Sequence, residues 1–254
     1  SSLVGSEMCI RDSHLYTLPT ALVSNTLDYG KFYIQETTEY MRQSLKVWAE
    51  LGFSFDVVST GMILSAEQAA LVSDFCEQSA KKGALVFVDP IMGDEGKLYN
   101  GVGEETVAHM RKMVAVADCI VPNYTEAAYL ADVPYHEDMT EEEARALTIR
   151  LHEMGAKSVV VTSAKVDGEN CVVGYDGTEG EFFRIPFDLI PVRFVGTGDI
   201  FAAVMLGRLV DGVPLQESTH RAMDAVRTMI DRNRDKEDKY LGIPIETCLE
   251  VLDE

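Results

Sequence analysis

Three times along this chain a short apolar run ends in Asp, Asn or Gly and gives way to a segment with helical patterning, and that repetition restricts the fold more than any other feature. Strands are predicted at 55–59 (FDVVS), 84–89 (ALVFVD), 118–121 (DCIV), 158–162 (SVVVT) and 171–175 (CVVGY). Helices are predicted at 37–51, 66–82, 103–117, 125–131, 140–154, 199–210 and 214–232. Strands alternating with longer helices call for βαβ units and a mainly parallel sheet covered by helices. Near-continuous apolar runs such as ALVFV belong to strands buried on both faces. Thr140 followed by Glu143 forms a capping-box signature, and Gly155 stops the helix it opens. The polar run at 231–239 fits a surface helix end or loop.

No repeat, low-complexity stretch or linker divides the chain, and a single α/β domain over residues 14–254 is expected. No apolar run approaches the roughly 18–20 residues of a membrane span. The formal net charge of −20 argues against nucleic-acid and anionic-membrane partners. It leaves room for an anionic small molecule, because a loop holds phosphate with backbone N–H groups. The cysteines Cys9, Cys76, Cys119, Cys171 and Cys248 form no CxxC pair, which suits buried thiols in a reducing cytoplasm. The histidines, His109 among them, are scattered and have no metal-ligand spacing.

The chemistry concentrates at three junctions. In the first, Val195-Gly196-Thr197-Gly198-Asp199 precedes an apolar helical run. Glycines let the backbone approach a ligand closely, and a helix start offers unpaired N–H groups and the positive end of the dipole. Such a start suits a phosphoryl group in transfer. Asp199 would accept a proton from an attacking hydroxyl, or would simply cap the helix. In the second, Asp89 ends a strand and Asp94 follows in a glycine-containing loop that runs to Tyr99. Ligands of open α/β sheets sit beyond the carboxyl ends of strands. The two acids would hold Mg²⁺ there, or would be solvated members of a turn. In the third, Asn123 and Glu126 open another helix, as cap and first-turn acid or as ligand contacts. A Walker A pattern is lacking, which disfavours the P-loop class.

These motifs, in this order, resemble the ribokinase-like kinases, whose signature is the Gly-Thr-Gly-Asp segment seen here at residues 196–199. The wording FVGTGDIFAA, with DPIMGDEGKLY, PNYTEA, STGMILSAEQ and LPTALVSNTLDYGKF, is similar to the pyridoxal kinase branch. The resemblance implies a ribokinase-like three-layer α/β/α fold. It further implies ATP-dependent phosphorylation of the hydroxymethyl group of a vitamin B6 vitamer, with Mg²⁺ and ATP. Asp199 would be the general base, and Gly196, Thr197 and Gly198 the anion hole. Asp89 and Glu126 would serve the metal and phosphates. Asn123, Thr162, Ser163, Phe194 and Val195 would line the nucleotide site, and Ser24, Tyr29 and Tyr99 the substrate side. Homodimers and a cytoplasmic location are also implied.

The chain departs from that pattern in places. A His-Thr pair of the branch is replaced by Thr26 and Leu27, an aromatic by Met62, and a threonine by Val121. These changes remove a hydroxyl and a ring from the substrate side, so a hydroxymethylpyrimidine is the alternative acceptor. The first thirteen residues, SSLVGSEMCIRDS, do not read as part of the domain and stand where the branch has a strand and a glycine loop. A non-native start, a truncated frame and a catalytically impaired binding protein are the corresponding expectations.

Overall fold

A computed structural model describes residues 14–26, 29–99 and 102–252. The segment at 1–13, Leu27 and the last two residues lie outside it. Contacts divide the chain into two compact units, Thr37–Asp188 in one and Ser1–Glu36 with Leu189–Glu254 in the other.

The elements run in chain order as follows. β1 (Ala21–Val23) and β2 (Ile34–Glu36) form a small antiparallel hairpin. Then come α1 (Thr38–Glu50), β3 (Val57–Thr60), α2 (Ala66–Ala80) and β4 (Leu85–Val88). β5 (Gly93–Asp94) and β6 (Lys97–Leu98) make a second small hairpin. They are followed by α3 (Glu104–Val114), β7 (Cys119–Ile120), α4 (Tyr124–Ala131), α5 (Glu141–Glu153), β8 (Ser158–Val166), β9 (Glu169–Asp176) and β10 (Glu181–Pro186). α6 (Thr197–Val210) and α7 (Leu215–Asn233) close the chain with two short 3₁₀ turns.

The sheet of the Thr37–Asp188 unit has six strands in the order β10-β9-β8-β7-β4-β3. β3, β4, β7 and β8 pair in parallel, and β9 and β10 extend the sheet antiparallel. This is the expected α/β fold with a mostly parallel central sheet flanked by helices. Its core joins Val86, Val88, Ile120, Val159 and Val161 of the strands to Met110, Met113, Leu130, Leu147 and Leu151 of the helices. Each such side chain contributes about 1.5–3 kcal/mol on leaving water. Thr140 caps α5 through a full capping box with Glu143, as its sequence requires.

The expected elements shift at their ends for physical reasons. The strand expected at 158–162 continues to Val166, because beyond the irregularity after Val161 the alternate residues Ala164 and Val166 stay buried through the polar stretch. The helix expected from 199 begins at Thr197, and the one expected from 125 begins at Tyr124. β1, β2, β5, β6 and β10 were absent from the reading of the apolar runs. β1, β2, β5 and β6 are two or three residues long, too short to show a period, and in β10 the apolar pair Phe182-Phe183 is cut off by Arg184.

Trp48 of α1, Phe53 and Phe55 ahead of β3, and Phe75 of α2 form an aromatic cluster, with Trp48 and Phe55 ring centroids 5.4 Å apart. The cluster lines a recess of about 220 Å³ between α1 and α2. In the other unit α6 packs on α7, burying Ile200, Phe201, Val204 and Met205 of the first and Ala222, Ala225 and Met229 of the second. No helix of the described residues is long and apolar enough to cross a membrane.

Candidate active site

Parallel strands place their carboxyl ends along one side of the sheet, and the residues there are drawn from sequence-distant junctions. Register aligns Thr60 with Val88 and Val88 with Ile120, and a further bridge joins Asn123 to Thr162. Asp89 therefore follows β4 beside Thr60, whose carbonyl accepts the Asp89 amide at 3.2 Å. The Thr60 hydroxyl oxygen is buried without a hydrogen-bond partner among the described residues. Thr162 is tied to the neighbouring junction by its amide, which donates to the Pro122 carbonyl at 2.9 Å. Ser163 sits at the irregularity between Val161 and Ala164, with φ of +54°. That left-handed backbone turns its exposed side chain out of the strand alternation, at a cost of about 1–2 kcal/mol for a residue with a Cβ.

Asn123 and Glu126 form a reciprocal capping box at the start of α4. The Asn123 side-chain oxygen accepts the Glu126 amide at 3.0 Å, and Glu126 Oε2 accepts the Asn123 amide at 2.8 Å. Glu126 does more than cap. Its Oε1 accepts the amides of Met92 at 2.9 Å and of Gly93 at 3.5 Å, and Asn123 Nδ2 donates to the Gly93 carbonyl at 2.7 Å. The helix start thus grips the loop that leaves Asp89. Thr125 Oγ1 extends the grip by accepting the Gly96 amide at 2.9 Å. Tyr135, stacked on Tyr124 at 4.8 Å, lies so close to Gly96 that a Cβ there would stand 2.9 Å from its ring. Tyr99 ends the hairpin with its amide donating to the Met92 carbonyl at 2.9 Å, and is itself exposed.

Glu126 is only 4% exposed. Burial pushes its carboxyl up to about 7, against the pull of the Met92, Asn123 and Gly93 amides, and nearby Asp94 pushes the same way as burial. The metal role expected for it meets a side chain whose two oxygens already serve backbone donors. Among the described residues no three His, Cys, Asp or Glu side chains cluster as metal ligands would. That donor set still fits Mg²⁺, which keeps several waters and takes only one or two carboxylates besides phosphate. Asp89 is half-buried just beyond the end of β4.

In the second unit, Gly196 has φ of +86° and is the residue before the first turn of α6. A left-handed start of this kind favours glycine, which has no Cβ to clash. No side chain caps this helix, so Asp199 in its first turn is not used as the cap. Thr197 Oγ1 donates to the Phe194 carbonyl at 3.5 Å, and Phe194 is buried while Val195 is half-buried. The Asp199 carboxyl reaches solvent, yet the protein around it strips enough hydration to raise its pKa above the ordinary value.

Of the substrate-side residues, Ser24 is committed to the β1–β2 hairpin. Its Oγ accepts the Tyr33 amide at 2.9 Å and donates to Asn25 Oδ1 at 2.6 Å. Tyr29 is exposed and its ring lies 5.2 Å from that of Tyr240. Met62 is half-buried and follows Gly61, whose α-carbon face lies against Ile91. Val121 is buried and its amide donates to the Val88 carbonyl at 2.9 Å. Nothing in the residue pattern signals Lys239 and Tyr240, or the reach of Glu126 to Met92.

A mostly parallel α/β sheet with acids and amides at its strand ends, and a Gly-Thr-Gly-Asp helix start, is the architecture of the ribokinase-like superfamily. The chain belongs to the phosphomethylpyrimidine kinase family, whose pattern matches residues 12–242. It is 33% identical over 171 residues to the pyridoxal kinase of Arabidopsis thaliana, covering 64% of this chain and 53% of the plant protein. A Bacteroides thetaiotaomicron structure, assigned as a phosphomethylpyrimidine kinase and solved with pyridoxal, is 32% identical. It superposes with a TM-score of 0.92 over 100% of this chain and 89% of that one. Pyridoxal kinase from Lactobacillus plantarum is 28% identical with a TM-score of 0.81, over 92% of this chain and 84% of its own. These likenesses put the chain in the pyridoxal kinase branch. It spans about half the length of the curated plant relative it matches.

Proposed function

We propose that this chain carries an ATP-dependent kinase activity that phosphorylates the hydroxymethyl group of a vitamin B6 vitamer. The observation that carries the reading is Asp199. It stands in the first turn of α6, behind a glycine-started helix end, with no capping duty and a pKa raised by lost hydration. A carboxylate of raised pKa is a better proton acceptor for an alcohol than an ordinary one. The amides of Gly196, Thr197 and Gly198 offer donors to the oxygens of the phosphoryl group in transfer. Transfer of this kind is mainly positioning and charge stabilisation, so the protein needs no covalent intermediate.

Asp89 would hold Mg²⁺, which neutralises phosphate charge when bound. Glu126 and Asn123 keep the loop after Asp89 in place, and Thr162 and Ser163 meet the nucleotide phosphates. Phe194 and Val195 adjoin the nucleotide, and Tyr29 and Tyr99 flank the vitamer. Ser24 shapes the hairpin that carries that side. The pyridoxal found with the Bacteroides relative supports a B6 acceptor. The apolar Met62 and Val121, with the phosphomethylpyrimidine kinase pattern, support hydroxymethylpyrimidine as a second acceptor. We further infer a cytoplasmic homodimer without nucleic-acid or membrane partners, from the buried free thiols of Cys76, Cys119, Cys171 and Cys248 among the described residues, the acidic charge and the family.

ATP consumption coupled to each acceptor tests the reading. Pyridoxal, pyridoxine, pyridoxamine and hydroxymethylpyrimidine are compared at equal concentration. Turnover with a B6 compound and product carrying phosphate on its hydroxymethyl oxygen is expected. Turnover with hydroxymethylpyrimidine alone would transfer the assignment to the second acceptor, and ATP binding without product would leave a binding protein.

A further inference from the structure

The turn at residues 239–242 makes three separate contacts within its unit. Lys239 lies over the Phe194 ring, with Nζ 5.0 Å from its centroid. Tyr240 meets the Tyr29 ring at 5.2 Å and an interplanar angle of 51°. Gly242, with φ of +73°, comes so close to Val195 that a Cβ would stand 3.2 Å from its carbonyl oxygen. The turn is itself held. The Gly242 amide donates to the Lys239 carbonyl at 3.2 Å, and the Tyr240 amide to Asp238 Oδ1 at 2.9 Å. Lys239 Nζ also donates to the carbonyls of Arg234 and Lys236, which follow the end of α7. A cation there satisfies carbonyls at the negative end of a helix while its face contact with Phe194 persists.

Three residues of this turn thus join the stretch of chain that leads into Gly196 to the segment carrying Tyr29: Lys239 and Gly242 on one side, Tyr240 on the other. We infer that Tyr240 is a positioning residue, which fixes Tyr29 relative to the anion loop through the Lys239–Phe194 and Gly242–Val195 contacts. This deepens the proposed kinase reading and rests on it for the identity of the acceptor. Tyr240 is half exposed, and the role inferred for it is exerted through Tyr29. An aromatic pair holds a ring in a preferred range of offsets, so its loss frees Tyr29 to sample positions unsuited to an acceptor.

The test uses the full chain and two variants, Tyr240→Ala and Tyr240→Phe. In steady-state kinetics Tyr240→Ala is expected to raise KM for pyridoxal about five- to tenfold, with KM for ATP moved less than about twofold. Tyr240→Phe keeps the ring and is expected to restore the wild-type KM. Without any ligand, amide hydrogen exchange over residues 29–36 is expected to quicken in Tyr240→Ala and not in Tyr240→Phe. An unchanged pyridoxal KM in Tyr240→Ala, or an equal rise for ATP, would overturn the positioning role. Unchanged exchange would overturn the coupling itself. If the wild-type chain turns over no B6 vitamer, the proposed function fails first, and exchange alone then decides whether residue 240 holds residue 29.

Discussion

Glu126 Oε1 accepts the backbone amide of Met92 at 2.9 Å, across 34 residues of chain. This bond joins the start of α4 to the loop that follows Asp89. Glu126→Gln replaces one acceptor oxygen with an N–H donor while two buried amides still point at the site. An unpaired buried donor costs about 1–3 kcal/mol. The variant is therefore expected to unfold at lower urea concentration by that amount, with quicker amide exchange at residues 92–93. A wild-type midpoint and wild-type exchange in Glu126→Gln would show that the grip on the loop is dispensable.

Asp199→Asn preserves shape and removes the proton acceptor. Turnover is expected to fall by roughly 10²–10⁴, with ATP affinity nearly unchanged. The pH profile makes a second, signed test. A base works only when ionised, and lost hydration holds this carboxyl above 3.8. Activity of the wild type should decline as pH falls through a midpoint above that value. The residual activity of Asp199→Asn should lack this limb. A variant with wild-type turnover would remove Asp199 from the mechanism.

Asp89→Ala takes one oxygen donor from the end of β4. Half-maximal activity is expected to need more Mg²⁺, since a hard cation loses a carboxylate or the waters bound to it. Circular dichroism must be unchanged for the comparison to hold. Superimposable Mg²⁺ titrations of variant and wild type would count against this residue as the metal-side acid.

Ser163 sits at φ of +54°, where a side chain is strained. Ser163→Gly relieves that strain and is expected to stabilise the fold by about 1 kcal/mol, less what glycine gains in the unfolded chain. If its hydroxyl meets a nucleotide phosphate, KM for ATP should rise in the same variant. Stability and affinity would then move in opposite directions. Equal ATP affinity in variant and wild type would limit Ser163 to shaping the bulge.

The four parallel strands were legible because each is an apolar run at least partly bounded by turn residues, as in the run from Ala84 to Asp89. Helix ends with paired signals, such as Thr140 with Glu143, were legible to the residue. β5 and β6 were not, because a two-residue strand has no period and is set by its turn at Glu95 and Gly96 and by contacts with Thr125 and Tyr135. At the site, Asp199 and Glu126 were both singled out from local context. What local context leaves out is the through-space partner. The amide of Met92 carries no side-chain identity, so nothing in the order of residues marks it as the acceptor's mate. Lys239 and Tyr240 were hidden for the same reason, the first at the end of a polar run that reads as solvated surface and the second just after it.

The chain has one tryptophan, and Trp48 stands among Phe53, Phe55 and Phe75 in the Thr37–Asp188 unit. Intrinsic indole emission is therefore a signal from that unit alone. The α6–α7 pair of the other unit has no indole and contributes to far-ultraviolet circular dichroism instead. In a denaturant series, emission and ellipticity that fall together mark one cooperative transition. An emission change displaced from the ellipticity change would assign each step to its own unit, with no label added and no residue replaced.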